Sequence, residues 1–295
     1  MFNRLKTSLI SFFAGVNLLA GTCDYTTFSQ RDFPYRLEHR ISQEPAHKNN
    51  EPDKYALLVM GDNEERHVIN FSVAYQSLLD NGFKKENIYI LTDDGDDSVT
   101  NFPIDDFSSK SSLEIILTHL AEKVDETDLM FIYFNNHGQR NTIDYYDPKK
   151  PDTLITKIIS KFGLSQENLN KNNVSEIELE KYLETINPRQ GILLFGFCYS
   201  GGFAKRLGKG NWTAVASSQP EQLSYSWITH NFDRNFMYAL SKDKKNNRDL
   251  NNDGKVSLQE AFIYAKFTHI SSLDDGEKQS PTIVSEIDLE NAFME

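Results

Sequence analysis

The chain has 295 residues, 39% of them apolar and 12% aromatic, enough for one large hydrophobic core or two smaller ones. Its net charge of −12 argues against nucleic acid as a partner, because phosphate binding needs a basic face. The same charge argues against electrostatic docking on anionic lipid and favours solubility.

The first residues, MFNRLK, form a short basic segment, and residues 7–23 carry no charge. A basic start followed by an apolar stretch that is short for a spanning helix reads as a signal peptide over residues 1–22. LLAGTC at its end resembles a bacterial lipoprotein box, which makes Cys23 a candidate for lipidation. The expectation is an exported protein, periplasmic or secreted, that touches a membrane only through its leader or a lipid on Cys23. Residues 23–53 are polar, keep no steady period and read as a linker. With Cys23 in or near the leader, Cys198 has no intrachain partner, and a disulfide framework is excluded for the mature domain.

The folded domain is expected over residues 54–295. KYALLVMG (54–61) is an unbroken apolar run closed by glycine, which reads as a buried strand. Phe71, Ala74, Tyr75, Leu78 and Leu79 then keep a helical period that Asn81-Gly82 stops. NIYILTDD (87–94) is the next strand. Ser111 and Glu114 predict a capping box on a helix whose Leu113, Ile116, Leu117, Leu120, Ala121 and Val124 share one face. DLMFIYFNNHG (128–138) is a strand that runs out into polar residues. Residues 139–173 are weakly patterned and read as a flap or a processing site. Ser175 with Glu178 caps another helix. GILLFGFCYSGG (191–202) is a strand, a short helix is expected over 203–207, and WTAVASS (212–218) reads as a further strand. Strand and helix alternate, and the strands are continuous apolar runs. That pattern predicts an α/β fold, a mostly parallel sheet with helices on both faces. In such sheets ligands bind at the carboxyl ends of the strands.

Two of those ends carry reactive side chains, His137 after FIYFNN and Cys198 after GILLFGF. A thiolate is a strong nucleophile once a base stands nearby, and histidine is the usual base near neutral pH. Gly138 lets a backbone N–H approach an oxyanion closely. The small residues after Cys198 leave room for a substrate.

The domain resembles the clan of cysteine peptidases that contains legumain and the caspases, and it looks closest to the legumain-like family and its bacterial relatives. FIYFNNHGQ is similar to that family's strand ending in Asp-His-Gly. ILLFGFCYSGGF is similar to its strand ending in Cys-x-Ser-Gly. The resemblance covers residues 54–267 and implies a caspase-like three-layer sandwich. It also implies that His137 is the general base, that Cys198 is the nucleophile, and that the N–H groups of Gly138 and Cys198 form an oxyanion hole. Arg66 matches an Arg-His in legumain that lines the pocket for the residue before the cut, and Ser224 roughly matches a pocket serine. The chain departs from the pattern at Tyr199, where legumain is acidic, at Asn136 in place of Asp, and at Glu64 in place of Asn. Those departures remove the basis for asparagine specificity and make a basic residue an alternative if Glu64 lines the pocket.

Residues 249–260, DLNNDGKVSLQE, fit a 12-residue calcium loop at every fixed position. Asp249, Asn251 and Asp253 would supply side-chain oxygens, Lys255 its carbonyl, Ser257 a hydroxyl or a bound water, and Glu260 two oxygens. Gly254 would permit the sharp turn. A structural calcium ion is therefore expected, and no organic cofactor. The function expected is a cysteine endopeptidase acting on a peptide or protein substrate through a thioester acyl-enzyme, with transpeptidation open to the same residues. The alternative is a catalytically silent, calcium-binding interaction domain of an exported protein.

Overall fold

The computed structural model describes residues 36–44, 51–93, 100–143, 173–227, 231–241, 248–270 and 279–294. The segment expected as a signal peptide, Cys23 and most of the weakly patterned 139–173 segment lie outside them. Seven strands form one sheet: β1 (Lys54–Met60), β2 (Ile88–Thr92), β3 (Asp106–Phe107), β4 (Leu129–Asn135), β8 (Gln190–Gly196), β9 (Trp212–Ala216) and β10 (Thr282–Val284). Their spatial order is β10-β9-β8-β4-β1-β2-β3, and every pair is parallel except β9 with β10. Three two-residue strands, β5 (Gly138–Gln139), β6 (Thr142–Ile143) and β7 (Val174–Ser175), make a small antiparallel sheet beside it.

The apolar runs of β1, β4 and β8 divide by the two-residue period of a strand. Leu57, Val59, Met130, Ile132, Phe134, Leu193 and Phe195 enter one core, under α3 (Lys110–Lys123), α4 (Glu176–Leu183) and α5 (Gly201–Leu207). Ala56, Leu58, Met60, Phe131, Tyr133, Ile192 and Leu194 enter the other, under α2 (Glu65–Asp80), α6 (Phe232–Leu240) and α7 (Leu258–Ile270). Each face is closed by helices, as the expected α/β class requires. No helix among the described residues is long and apolar enough to cross a membrane.

Three local expectations are corrected. The segment expected as a linker over 23–53 carries a helix, α1 (Arg36–Gln43), held on the domain. Leu37 is fully buried, and Arg40 bonds to Asp105 at 2.5 Å and to the Glu86 carbonyl at 2.7 Å. The Glu44 carboxylate accepts from Tyr89 (2.6 Å) and Lys123 and lies 3.0 Å from His119. These contacts are long-range and invisible to a periodicity search. The capping box of α3 is not at Ser111 and Glu114: Ser109 is the N-cap, and its hydroxyl accepts from the Ser112 N–H at 3.1 Å. Helix α2 starts at Glu65, ahead of the apolar period that begins at Phe71. The capping box at Ser175 and Glu178 is present as expected.

Candidate active site

After β1 the chain moves to β2 and β3 on one side and returns to β4 on the other, so the order in which strands are added reverses between β1 and β4. A crevice opens at the carboxyl ends of the strands at such a switch point. Met60 of β1, Asn135 of β4 and Gly196 of β8 form one row across the three strands. Asp62, His137 and Cys198 each stand two residues beyond that row. The register therefore delivers a carboxylate, an imidazole and a thiol to one edge.

Glycines let the three turns close on each other. A Cβ at Gly61 would lie 1.7 Å from Asn136 Oδ1. A Cβ at Gly138 would lie 2.4 Å from the Phe197 ring and 2.7 Å from the Cys198 carbonyl oxygen. Beneath the row, the buried Asp233 carboxylate accepts from the Tyr133 hydroxyl and, at 3.0 Å, from Asn135 Nδ2. A Cβ at Gly196 would meet the same carboxylate at 2.3 Å, so the floor of the site is close-packed. Burial raises the Asp233 carboxyl above its ordinary value.

His137 is 58% exposed, with Nε2 3.2 Å from Asp62 Oδ2 and 4.0 Å from Glu64 Oε1. The other Asp62 oxygen, Oδ1, accepts from the Glu64 N–H at 2.9 Å and meets Nδ1 of the buried His67 at 2.6 Å. The His67 and His137 rings stand edge to face, 6.2 Å apart. Burial alone would raise the Asp62 carboxyl. The two imidazoles outweigh it and hold the carboxyl well below the usual carboxylate range. Asp62 in turn raises the His137 imidazole above its ordinary value, against a smaller opposing effect of burial.

The Cys198 thiol is partly buried and unpaired in a disulfide. Its Sγ accepts from the Ser224 N–H at 3.3 Å and lies 3.7 Å from the Ser224 carbonyl oxygen. The loop that supplies Ser224 is pinned from below. Ser217 Oγ lies 2.7 Å from Ser224 Oγ, and the buried Gln279 donates to the Ser217 carbonyl at 2.6 Å and accepts from the Tyr225 N–H at 2.7 Å. Tyr199, directly after the thiol, has φ +64°, a left-handed conformation uncommon for a side-chain-bearing residue. Its N–H is fixed on the Gln222 carbonyl at 2.8 Å. Helix α5 begins at Gly201 and has seven residues, two more than expected at its start.

The residues expected in the pocket gather here in an altered form. Arg66 donates to Glu64 Oε2 at 2.6 Å and to the Ser226 carbonyl at 3.2 Å, so its charge is balanced and its fork is tied to the thiol's loop. Ser224 meets the thiol through its backbone, while its hydroxyl turns toward Ser217. The sequence reading missed Asp62, the pairing of His67 with it, and Gln279. Asp62 had a usable signal: it follows the first buried strand, and ligands sit at such ends. Gln279 had none.

In residues 249–260 the acidic and amide side chains accept mainly from the loop's own N–H groups, while Leu258 and Gln259 donate to the Ala292 and Leu289 carbonyls. Asp249 accepts from the N–H groups of Asp253 (3.1 Å) and Gly254 (2.9 Å), Asn251 from Asp253 (2.9 Å), and Asp253 from Lys255 (2.9 Å). Gly254 has φ +90° at the sharp turn. This folding of the first positions fits a calcium ion. Glu260 fits less well. One of its oxygens accepts from Leu250 (2.8 Å) and Asn251 (3.1 Å), the other from the Ser257 N–H (2.8 Å) and hydroxyl (2.9 Å). A carboxylate has about four acceptor positions, so ligation through Glu260 would have to exchange these bonds.

No protein-family model and no curated protein matches the chain. The chain is an α/β domain with an acid, an imidazole and a thiol at the switch-point edge of its sheet.

Proposed function

We propose that the chain is a cysteine endopeptidase with a caspase-like catalytic domain of the legumain-like kind. The observation that carries this reading is the row Met60, Asn135, Gly196, two residues beyond which stand Asp62, His137 and Cys198. Three unrelated stretches of sequence deliver the parts of one nucleophilic site to adjacent strand ends, which is the arrangement acyl transfer needs.

In this reading Cys198 Sγ attacks the scissile carbonyl carbon. His137 takes the thiol proton and passes it to the leaving amine, and an acyl thioester remains. Water then attacks the thioester, with His137 as its base, and the thiol is regenerated. Asp62 faces Nε2, which leaves Nδ1 as the nitrogen that exchanges the proton. The carboxylate orients the ring and stabilises the imidazolium as it forms. The N–H groups of Gly138 and Cys198 receive the oxyanion. With Arg66 balanced by Glu64, the pocket favours a basic residue before the cut over an acidic one. The leader directs the enzyme out of the cytosol, and calcium on residues 249–260 serves stability.

A library of peptidyl acyloxymethyl ketones tests this. The expected result is a single adduct on Cys198, found by mass spectrometry, which His137→Ala abolishes. If Cys198 stays unmodified in the folded protein while the unfolded chain is labelled by iodoacetamide, the peptidase reading fails.

A further inference from the structure

We propose that His137, Asp62 and Glu64 form a binding site for a divalent cation of the zinc class, and that its occupation withdraws the general base. The cation site stands on geometry alone; the inhibitory consequence rests on the peptidase reading.

Among the described residues, one ligand atom each from Asp62, Glu64 and His137 lie within 4.8 Å of one another. His137 Nε2 is 3.2 Å from Asp62 Oδ2 and 4.0 Å from Glu64 Oε1. Bonds of about 2.0–2.2 Å in a tetrahedron place neighbouring ligand atoms roughly 3.3–3.5 Å apart. The imidazole and the Asp62 oxygen already have that spacing. Glu64 Oε1 must close on the imidazole by less than an ångström, and its side chain is 53% exposed and able to turn toward Asp62 as well.

A second observation concerns the Asp62 oxygen itself. Oδ2 is buried, and among the described residues no hydrogen-bond donor is aligned with it. Its polar neighbour there is His137 Nε2, 3.2 Å away. The sister oxygen Oδ1, by contrast, accepts from the Glu64 N–H and meets His67. A buried acceptor with a poorly aligned donor is under-satisfied, and a cation between the carboxylate and the imidazole would bind both directly. Glu64 divides its oxygens in the same way. Oε2 is held by Arg66 at 2.6 Å, and Oε1 is turned toward His137.

One imidazole and two carboxylates suit a borderline cation. Three protein ligands leave a fourth position for water. The nearest opposing charge, Arg66, is balanced by its bond to Glu64. Behind the site, the His67 contact with Asp62 Oδ1 orients the carboxylate as an outer partner would.

The test is calorimetric titration of the full chain with Zn2+, repeated with Co2+ in the spectrophotometer. The Cys198→Ser variant should keep one equivalent of Zn2+, and its Co2+ spectrum should show no sulfur charge-transfer band. His137→Ala, Asp62→Asn and the exposed Glu64→Gln should each weaken binding at least tenfold. Asp249→Asn, in the distant loop, should leave it unchanged. Loss of binding in Cys198→Ser would make the thiol a ligand and overturn the proposal. So would full affinity in Glu64→Gln together with His137→Ala, which would put the ion elsewhere. In the wild-type chain, stoichiometric Zn2+ should slow labelling of Cys198 at least tenfold. A normal titration with no labelling under any condition would remove the peptidase reading and leave the cation site. Normal labelling with no titration would do the reverse.

Discussion

At the carboxyl edge of the sheet, Cys198 meets Ser224 across 26 residues of chain, and Asp62 of one strand end meets His137 of another. In residues 249–260 Glu260 reaches no farther than Leu250, ten residues away. The edge site leaves its imidazole 58% exposed and one carboxylate oxygen without an aligned donor. The loop buries Glu260 to 6% exposure and fills all its acceptor positions. Two clusters of similar composition thus differ in what they are built for. The loop satisfies its carboxylates with its own donors. The edge cluster holds unsatisfied groups in place by distant contacts, which is how a fold keeps groups available for chemistry.

Exchanging one residue on each side breaks the comparison most directly. His137→Ala should lower the rate of Cys198 labelling by about 10²–10⁴, the usual worth of a general base. Unfolding in urea should change by less than about 1 kcal/mol, because the ion pair with Asp62 is half in solvent. Glu260→Ala should do the opposite. It strands three backbone N–H groups and the Ser257 hydroxyl, and about 2–4 kcal/mol of stability should be lost. The labelling rate, measured at a temperature where the variant stays folded, should not move. A stability loss under about 1 kcal/mol would show that the loop does not depend on the hydrogen bonds Glu260 accepts.

Asp62→Asn sharpens the comparison within the site. The carboxylate both orients His137 and holds its imidazole above the ordinary value. A base must be neutral to accept a proton, so in the wild-type chain the acid limb of the rate profile lies above the ordinary histidine value of about 6.5. Removing the charge should move that limb to lower pH and cut the plateau rate by up to about a hundredfold through loss of orientation. If the plateau falls and the limb stays in place, Asp62 acts by packing alone.

The same contrast decides what could be read from sequence. The Ser175 cap and the buried runs of β1, β4 and β8 are local, and each appears where its residues predict it. His137 and Cys198 were legible because each ends such a run. Asp62 was not singled out, since its meaning depends on β1 lying beside β4, a neighbourhood that periodicity does not encode. Arg66 was expected in a pocket, and its tie to Glu64 and Ser226 depends on a loop 160 residues away. The helix at Arg36–Gln43 was hidden for the same reason: a polar helix is recognised by Leu37 and Arg40 meeting the domain, not by its own composition.

Calcium gives the smallest of these effects and the most direct test of the loop. Asp249, Asn251 and Asp253 already curl onto the loop's own N–H groups, so little ordering remains for an ion to impose. Glu260 can add its oxygens only by giving up bonds to Leu250, Asn251 and Ser257. Net affinity should therefore fall in the weak range of such loops, with Kd about 10⁻⁴–10⁻³ M. At 1 mM calcium the gain in stability would be about 0.4–1.4 kcal/mol. Urea unfolding with and without calcium should show that shift, and Asp249→Asn should cancel it. No shift at 1 mM would mean that Glu260 keeps its protein partners, leaving the loop as a hydrogen-bonded cap on α7. A gain of several kcal/mol would mean that the loop rearranges to a full ligand set, and the contrast with the edge site would then narrow to location alone.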